Sequence, residues 1–196
     1  RASANAFNLP QAPQAFSVAG PFGHFSLWSW GANGSGRLGD GTNITRLEPT
    51  SIGSNMWQAV AATRAHTMAI STDGSLWGWG ENRHGELGDG TLEERHSPVQ
   101  IGLDTSWKLV ATGGTHTAAI RSDGSLWTWG LYSQLGVERS TLEPSVAQAQ
   151  HNIHGLHRVT PIRLGADSWR AVTAGSLHTA AIKTDGTLWI WGIHHN

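Results

Sequence analysis

Three histidines, His151, His154 and His157, form the run in this chain with the most obvious chemistry. Neutral imidazoles bind zinc, and three of them around an open coordination position would suit a hydrolytic centre. Their i, i+3, i+6 spacing drifts around a helix, and Gly155 interrupts it, so the run reads as polar loop and no metal is expected. Another three, His66, His116 and His178, stand nine residues after Trp57, Trp107 and Trp169, and eleven before Trp77, Trp127 and Trp189. An active site needs asymmetry, whereas a group repeated in every unit serves the unit. These histidines are expected to be structural, hydrogen-bonded to neighbouring backbone between units. Asp40, Asp73, Asp89, Asp123 and Asp185 recur in the same way and read as turn residues. With no Cys, thiolate catalysis and Cys-based zinc sites are excluded. GxSxG, GxxxxGK and Asp-x-Asp-x-Asp patterns are absent. The expectation is a protein with no catalytic residue and no cofactor, not an enzyme.

A repeat positions these groups. The phrases LWSWG (27–31), LWGWG (76–80), LWTWG (126–130) and LWIWG (188–192) recur, with first Trp residues 49, 50 and 62 apart. All eleven Trp residues fall on the repeat. One unit reads as Trp and a Val/Ala run, His-Thr and an Ala/Ile run, Asp-Gly, then LWxWG. Residues 57–62 suit a strand buried on both faces, 66–71 a second strand and 76–80 a third. Between the second and third, Asp73-Gly74 is a hairpin signal, repeated at Asp123-Gly124 and Asp185-Gly186, because glycine takes positive φ cheaply. Gly-rich loops follow at 32–42 and 81–91, and a fourth strand is expected to start near Pro49, Pro98 and Pro161, since proline suits an outer edge. Four short antiparallel strands per unit predict an all-β propeller of four-stranded blades, with about three and a half to four blades here.

With these residues in hand, the chain resembles the regulator of chromosome condensation repeat family, and its LWxWG and LGDGT wording looks like the bacterial-type members. The matching stretches are WKLVATGGTHTAAIRSDGSLWTWG and WGENRHGELGDGT, and the resemblance runs over about 16–196. It implies a seven-bladed ring, of which this chain holds roughly half. Repeat one departs by lacking the His-Thr strand. Repeat three departs by reading LYSQLGVERST, with Pro161 standing 25 positions after Gly136 against ten from Gly88 to Pro98. Residues 1–15 read as an extended N-terminal arm, and 16–196 as a propeller arc carrying a loop insertion at 137–160.

Charge narrows the partners. Thirteen basic and fourteen acidic residues, without a basic stripe, argue against nucleic acid. No apolar run reaches the length of a membrane span, so no membrane insertion is expected. The remaining classes are a non-catalytic interaction or assembly module, extracellular or surface-exposed, and a regulator of an enzyme or small GTPase by resemblance. The partner is expected to be another protein or a second copy. The insertion is the long segment that the repeat does not require, so Arg139, Glu143, His151, His154, His157 and Arg158 are the candidate partner contacts. Trp77 and Trp127 are expected in the core, and Gly74 and Gly124 at positive φ. The terminal blades are expected to expose apolar flanks, to be covered by a second copy, by a neighbouring subunit through the arm at 1–15, or by further blades of a longer propeller. Two Asn-x-Ser/Thr sequons, at Asn33 and Asn43, read as chance occurrences.

Overall fold

The Asp-Gly turns show how the local structure is made. Asp73 accepts hydrogen bonds from the backbone N–H of Ser75 at 2.9 Å and from the Ser71 and Ser75 hydroxyls, while Gly74 takes φ +84°. Asp123 and Asp185 receive Ser125 and Thr187 in the same way, with Gly124 at φ +82° and Gly186 at φ +93°. The turn residues thus close on themselves and leave the flanking strands in register.

The structure is a computed structural model that describes residues 25–137 and 157–193. Strands β1 (Phe25–Gly31), β2 (Arg46–Ala62), β3 (His66–Ser71), β4 (Leu76–Gly80) and β5 (Arg95–Gln100) form one antiparallel sheet in chain order. A second sheet holds β6 (Trp107–Thr112), β7 (His116–Arg121), β8 (Leu126–Leu131) and β9 (His157–Arg163). A third holds β10 (Trp169–Ala174), β11 (His178–Lys183) and β12 (Leu188–Gly192). Strand β2 serves two blades: its first half pairs with β1, regularly up to Ile52 and across an irregularity to Trp57, and its second half pairs with β3 from Trp57. Two complete four-stranded blades therefore stand between a two-stranded and a three-stranded partial blade. Strand β6 packs on β2 and β3 on one side and on β10 on the other, so the blades converge along their first strands.

The fourth strands begin earlier than the prolines suggest, at Arg46, Arg95 and His157. Pairing between β4 and β5 jumps from Gly78↔Val99 to Gly80↔Arg95, and Pro98 lies inside that irregularity. Pro161 lies inside the matching irregularity between Thr128↔Ile162 and Gly130↔Arg158. A bulge needs no N–H from its extra residue, so proline sits within the strand without costing a ladder bond. Residues 157–160, read from the sequence as insertion, are strand.

The core forms between blades. Met68, Ile70 and Leu76 of one blade meet Trp107, Ala119 and Trp129 of the next. One step on, Ala118, Ile120 and Leu126 meet Trp169 and Ala181. Every residue of β3 is buried, whereas Gln58, Lys108 and Arg170 on the first strands are exposed. This reverses the sequence expectation for 57–62, because the second strand is flanked within the sheet on both sides and the first strand is not. In the two complete blades the second Trp of LWxWG is the one fully buried: Trp79 and Trp129 are enclosed, and Trp77 and Trp127 are half-buried at the core margin.

Although Gly74 and Gly124 share a positive φ, they differ in surroundings. A Cβ on Gly74 would collide with the Thr105 carbonyl, while the nearest atom to a Cβ on Gly124 is Ser168 Cβ at 3.4 Å. Left-handed backbone alone costs a side chain about 1–2 kcal/mol. Gly74→Val is therefore expected to lose clearly more stability than Gly124→Val in paired thermal melts. Equal losses would mean that the Thr105 contact yields freely.

Candidate functional site

Each Gly-rich loop is organised around a buried asparagine. In the second loop, Asn82 Nδ2 donates to Asp89 Oδ1 and to the Thr91 carbonyl, each at 3.1 Å, while its Oδ1 accepts from Leu87 N–H at 3.0 Å. Arg95 closes the loop on Asp89 at 2.8 Å. Asn33 does the same work in the first loop, donating to Asp40 and Thr42 and accepting from Leu38 N–H. Asn33 is buried, with its amide engaged, and cannot serve as the glycosylation acceptor of its sequon in the folded chain; Asn43 is exposed. The sequence signal for this role was the matching asparagine in both loops, which the sequon reading obscured.

The loops then dock on the following blade. The Glu86 carbonyl accepts from Trp129 Nε1 at 2.8 Å and from the Thr117 hydroxyl at 2.7 Å. The Arg37 carbonyl accepts from Trp79 Nε1 and the Thr67 hydroxyl, each at 3.0 Å. Because Thr117 gives its proton to Glu86, its oxygen must accept from His66 Nε2–H, 2.9 Å away, which fixes the tautomer of His66. His116 Nε2 lies 2.7 Å from Thr179 Oγ in the next pair of blades. The histidines are structural and inter-blade as expected, but their partners are hydroxyls on the adjacent blade instead of backbone. Thr179 is buried at the receiving end, while His178 is exposed.

Burial pushes the His66 imidazole down to about 3, helped by the charge of His116. Burial likewise holds His116 down at about 4, partly offset by its hydrogen bond to Gln134. An unfolded histidine titrates near 6.5, so below that pH the unfolded chain binds protons that the folded chain refuses. The contribution of these two histidines to stability is expected to fall steadily from about pH 6.5 toward pH 4. Replacing both with asparagine should flatten that limb in urea melts, whatever it costs at neutral pH. An unchanged slope would refute the assignment.

Of the six candidate contacts, Arg139, Glu143, His151 and His154 lie outside the described residues. His157 and Arg158 open β9. The His157 ring packs on His84 of the second loop, with centroids 5.5 Å apart and planes tilted by 56°. Burial lowers the pKa of both rings, and the charge of His84 adds to the effect on His157. The Gly90 N–H donates to the Val159 carbonyl at 2.8 Å, and a Cβ on Gly85 would touch the Arg158 carbonyl. His157, Arg158 and Val159 therefore meet the second loop at the start of β9. Among the described residues there is no group of three or more side chains able to hold a metal, and no helix long and apolar enough to cross a membrane.

Comparison with known proteins agrees with this architecture. The two family models described as Regulator of chromosome condensation (RCC1) repeat match residues 26–70 and 73–120, and residues 57–86, 107–134 and 169–196. Prp20p of Saccharomyces cerevisiae is a structural relative with TM-score 0.74 and 22% identity, over 84% of this chain and 40% of that one. Yeast Prp20 bound to Kap60 gives TM-score 0.72 at 23% identity, over 84% and 39%. Human WBSCR16 gives 0.65 at 21% identity, over 84% and 42%. The chain thus spans about two fifths of the length of these structures. No curated protein sequence matches it. With its repeats matched over most of their length and its blades superposing on known propellers, the chain belongs to the regulator of chromosome condensation repeat family.

Proposed function

We propose that this chain is a non-catalytic propeller module that binds protein, with contacts supplied by its loops and blade flanks. The observation that carries this reading is how the recurrent polar groups are used. His66, His116, Asn33, Asn82, Asp40 and Asp89 all face groups within the fold, and none is assembled toward an open cleft. Relatives offer precedent: Prp20 has been seen with Kap60, and Prp20p has been described with its binding to Gsp1p and histones.

Assembly with a second copy is part of the proposal. Trp28 and Trp30 are each 54% exposed on the first blade, and Leu188, Trp189 and Ile190 are 63%, 50% and 59% exposed on the last. Leu76 and Leu126, which match Leu188, and Trp79 and Trp129, which match Trp30, are enclosed, and Trp77 and Trp127, which match Trp28 and Trp189, are half-buried. Apolar faces of this kind favour association. Light scattering of the intact chain and of a chain lacking 140–154 tests the two routes together. We expect self-association in the first, and unchanged folding with weaker association in the second. A compact monomer in both cases would sink the assembly reading, and an unaffected association would move the contacts away from the insertion. An extracellular or surface location belongs to the same proposal, motivated by low charge and polar loops. The second reading, regulation of an enzyme or small GTPase, is favoured by the printed partner of Prp20p, Gsp1p, and would show as altered activity of that partner.

A further inference from the structure

On the face that carries the Asp-Gly turns, opposite the Gly-rich loops, a groove of about 410 Å³ opens between β6 and β10. Its floor is apolar, built from Leu109, Ile120 and Trp169. Its rim is cationic. Lys108 and Arg170 are exposed and make no ion pair among the described residues. Arg121 lies over the Trp127 ring at 3.8 Å and the Trp107 ring at 4.5 Å, with one terminal nitrogen on Asp104 at 3.0 Å. Its Nε is buried with no hydrogen-bond partner. The one carboxylate in the lining, Asp123, accepts from the backbone N–H and hydroxyl of Ser125.

The repeat does not require this groove. One blade earlier, Gln58 stands where Lys108 stands here, Lys108 where Arg170 stands, and Ser71 where Arg121 stands, so that junction has one rim cation instead of two and no arginine against the tryptophans. The earlier junction is also filled. Nine residues separate Pro98 from Trp107, against eight from Pro161 to Trp169, and in the longer linker the Thr105 carbonyl lies against Gly74. At the later junction the nearest atoms to a Cβ on Gly124 are Ser168 Cβ at 3.4 Å and the Trp169 carbonyl at 3.6 Å, so the space stays open.

We propose that this groove binds an acidic peptide segment of a protein partner, an inference that rests on the protein-interaction reading. A carboxylate between Lys108 and Arg170 meets two cations with no competing ion pair, and an adjacent aliphatic side chain covers the Leu109–Ile120–Trp169 floor. The size suits a few side chains, within the range of ordinary ligand clefts. Phosphate backbone fits less well, because Asp104 and Asp123 interrupt the cations and a polyanion needs a continuous track.

The test uses a fluorescein-labelled peptide of alternating Asp and Leu, with Asn-Leu and Lys-Leu peptides of equal length as controls. The acidic peptide should bind the intact chain. Lys108→Gln with Arg170→Gln should weaken it at least about tenfold, and so should raising salt well above the level at which charges are screened beyond about 10 Å. Both side chains are exposed, so the melting curve should not move. Arg64→Gln, an exposed arginine in the β2–β3 turn, should leave binding unchanged. Equal binding of the Asn-Leu peptide, or affinity indifferent to the double substitution, overturns the proposal. So does tighter binding of a thymidine oligonucleotide at the same residues. If the peptide fails while deletion of 140–154 still changes association, the groove falls and the interaction reading stands.

Discussion

Trp129→Ala is expected to destabilise the chain by about 3–5 kcal/mol, the usual range for deleting an enclosed aromatic side chain. The indole is fully buried in the cluster that joins two blades, among Met68, Leu76, Leu87 and Trp107. Its N–H donates to the Glu86 carbonyl at 2.8 Å, and Gly88 approaches so closely that a Cβ there would lie 2.7 Å from Nε1. Truncation therefore opens a cavity and also removes the anchor of the preceding loop. Trp127→Ala should cost distinctly less, since that ring is half-buried with the Arg121 guanidinium on its face. Urea denaturation of the two variants checks this. A larger loss for Trp127 would mean that the inter-blade seam does not carry the stability.

Glu86→Gln is expected to stabilise the chain at alkaline pH and do nothing in acid. Burial pushes the Glu86 carboxyl up to about 7, against the pull of backbone N–H groups at Glu86 and His84, with Glu81 and Arg83 adding smaller opposing effects. One side-chain oxygen accepts from His84 N–H at 2.8 Å, and the other is buried without a partner. The unfolded carboxyl titrates near 4.5. Between these values the folded chain holds a proton at Glu86 that the unfolded chain has released, so the contribution of Glu86 to stability falls as pH rises from 4.5 through 7, opposite in sign to that of His66 and His116. Gln134 occupies the equivalent place before Leu135 in the next unit, so the amide is tolerated there. A gain of about 2–3 kcal/mol at pH 8 and none at pH 4 is expected. A gain of the same size at both would show that packing, not ionisation, governs the site.

The strands, the Asp-Gly turns and the structural nature of His66 and His116 were legible in the sequence because each is local or exactly repeated. Alternation with a period of two assigns a face, and Asp-Gly specifies a turn with four residues in hand. The same locality explains what stayed hidden. Trp77 and Trp79 share a face and look alike, but only Trp79 meets the Arg37 carbonyl of a loop 42 positions earlier. Asn33 and Asn82 resembled loop residues until their amides were seen to fasten segments nine positions away. The prolines pointed to strand starts, and the bulges that accommodate them follow from pairing across the blade.

By itself, the sequence determined an all-β repeat with four strands per unit and the family. The tertiary structure decided which tryptophans are enclosed, which threonine each histidine meets, and that Lys108 and Arg170 share one groove. Periodicity encodes the direction in which a side chain leaves its own strand. Contacts between blades join residues some 50 or 60 positions apart, such as His66 with Thr117 and His116 with Thr179, and depend on how rigid sheets stack. No local pattern carries that stacking, because it is set by the summed fit of whole faces.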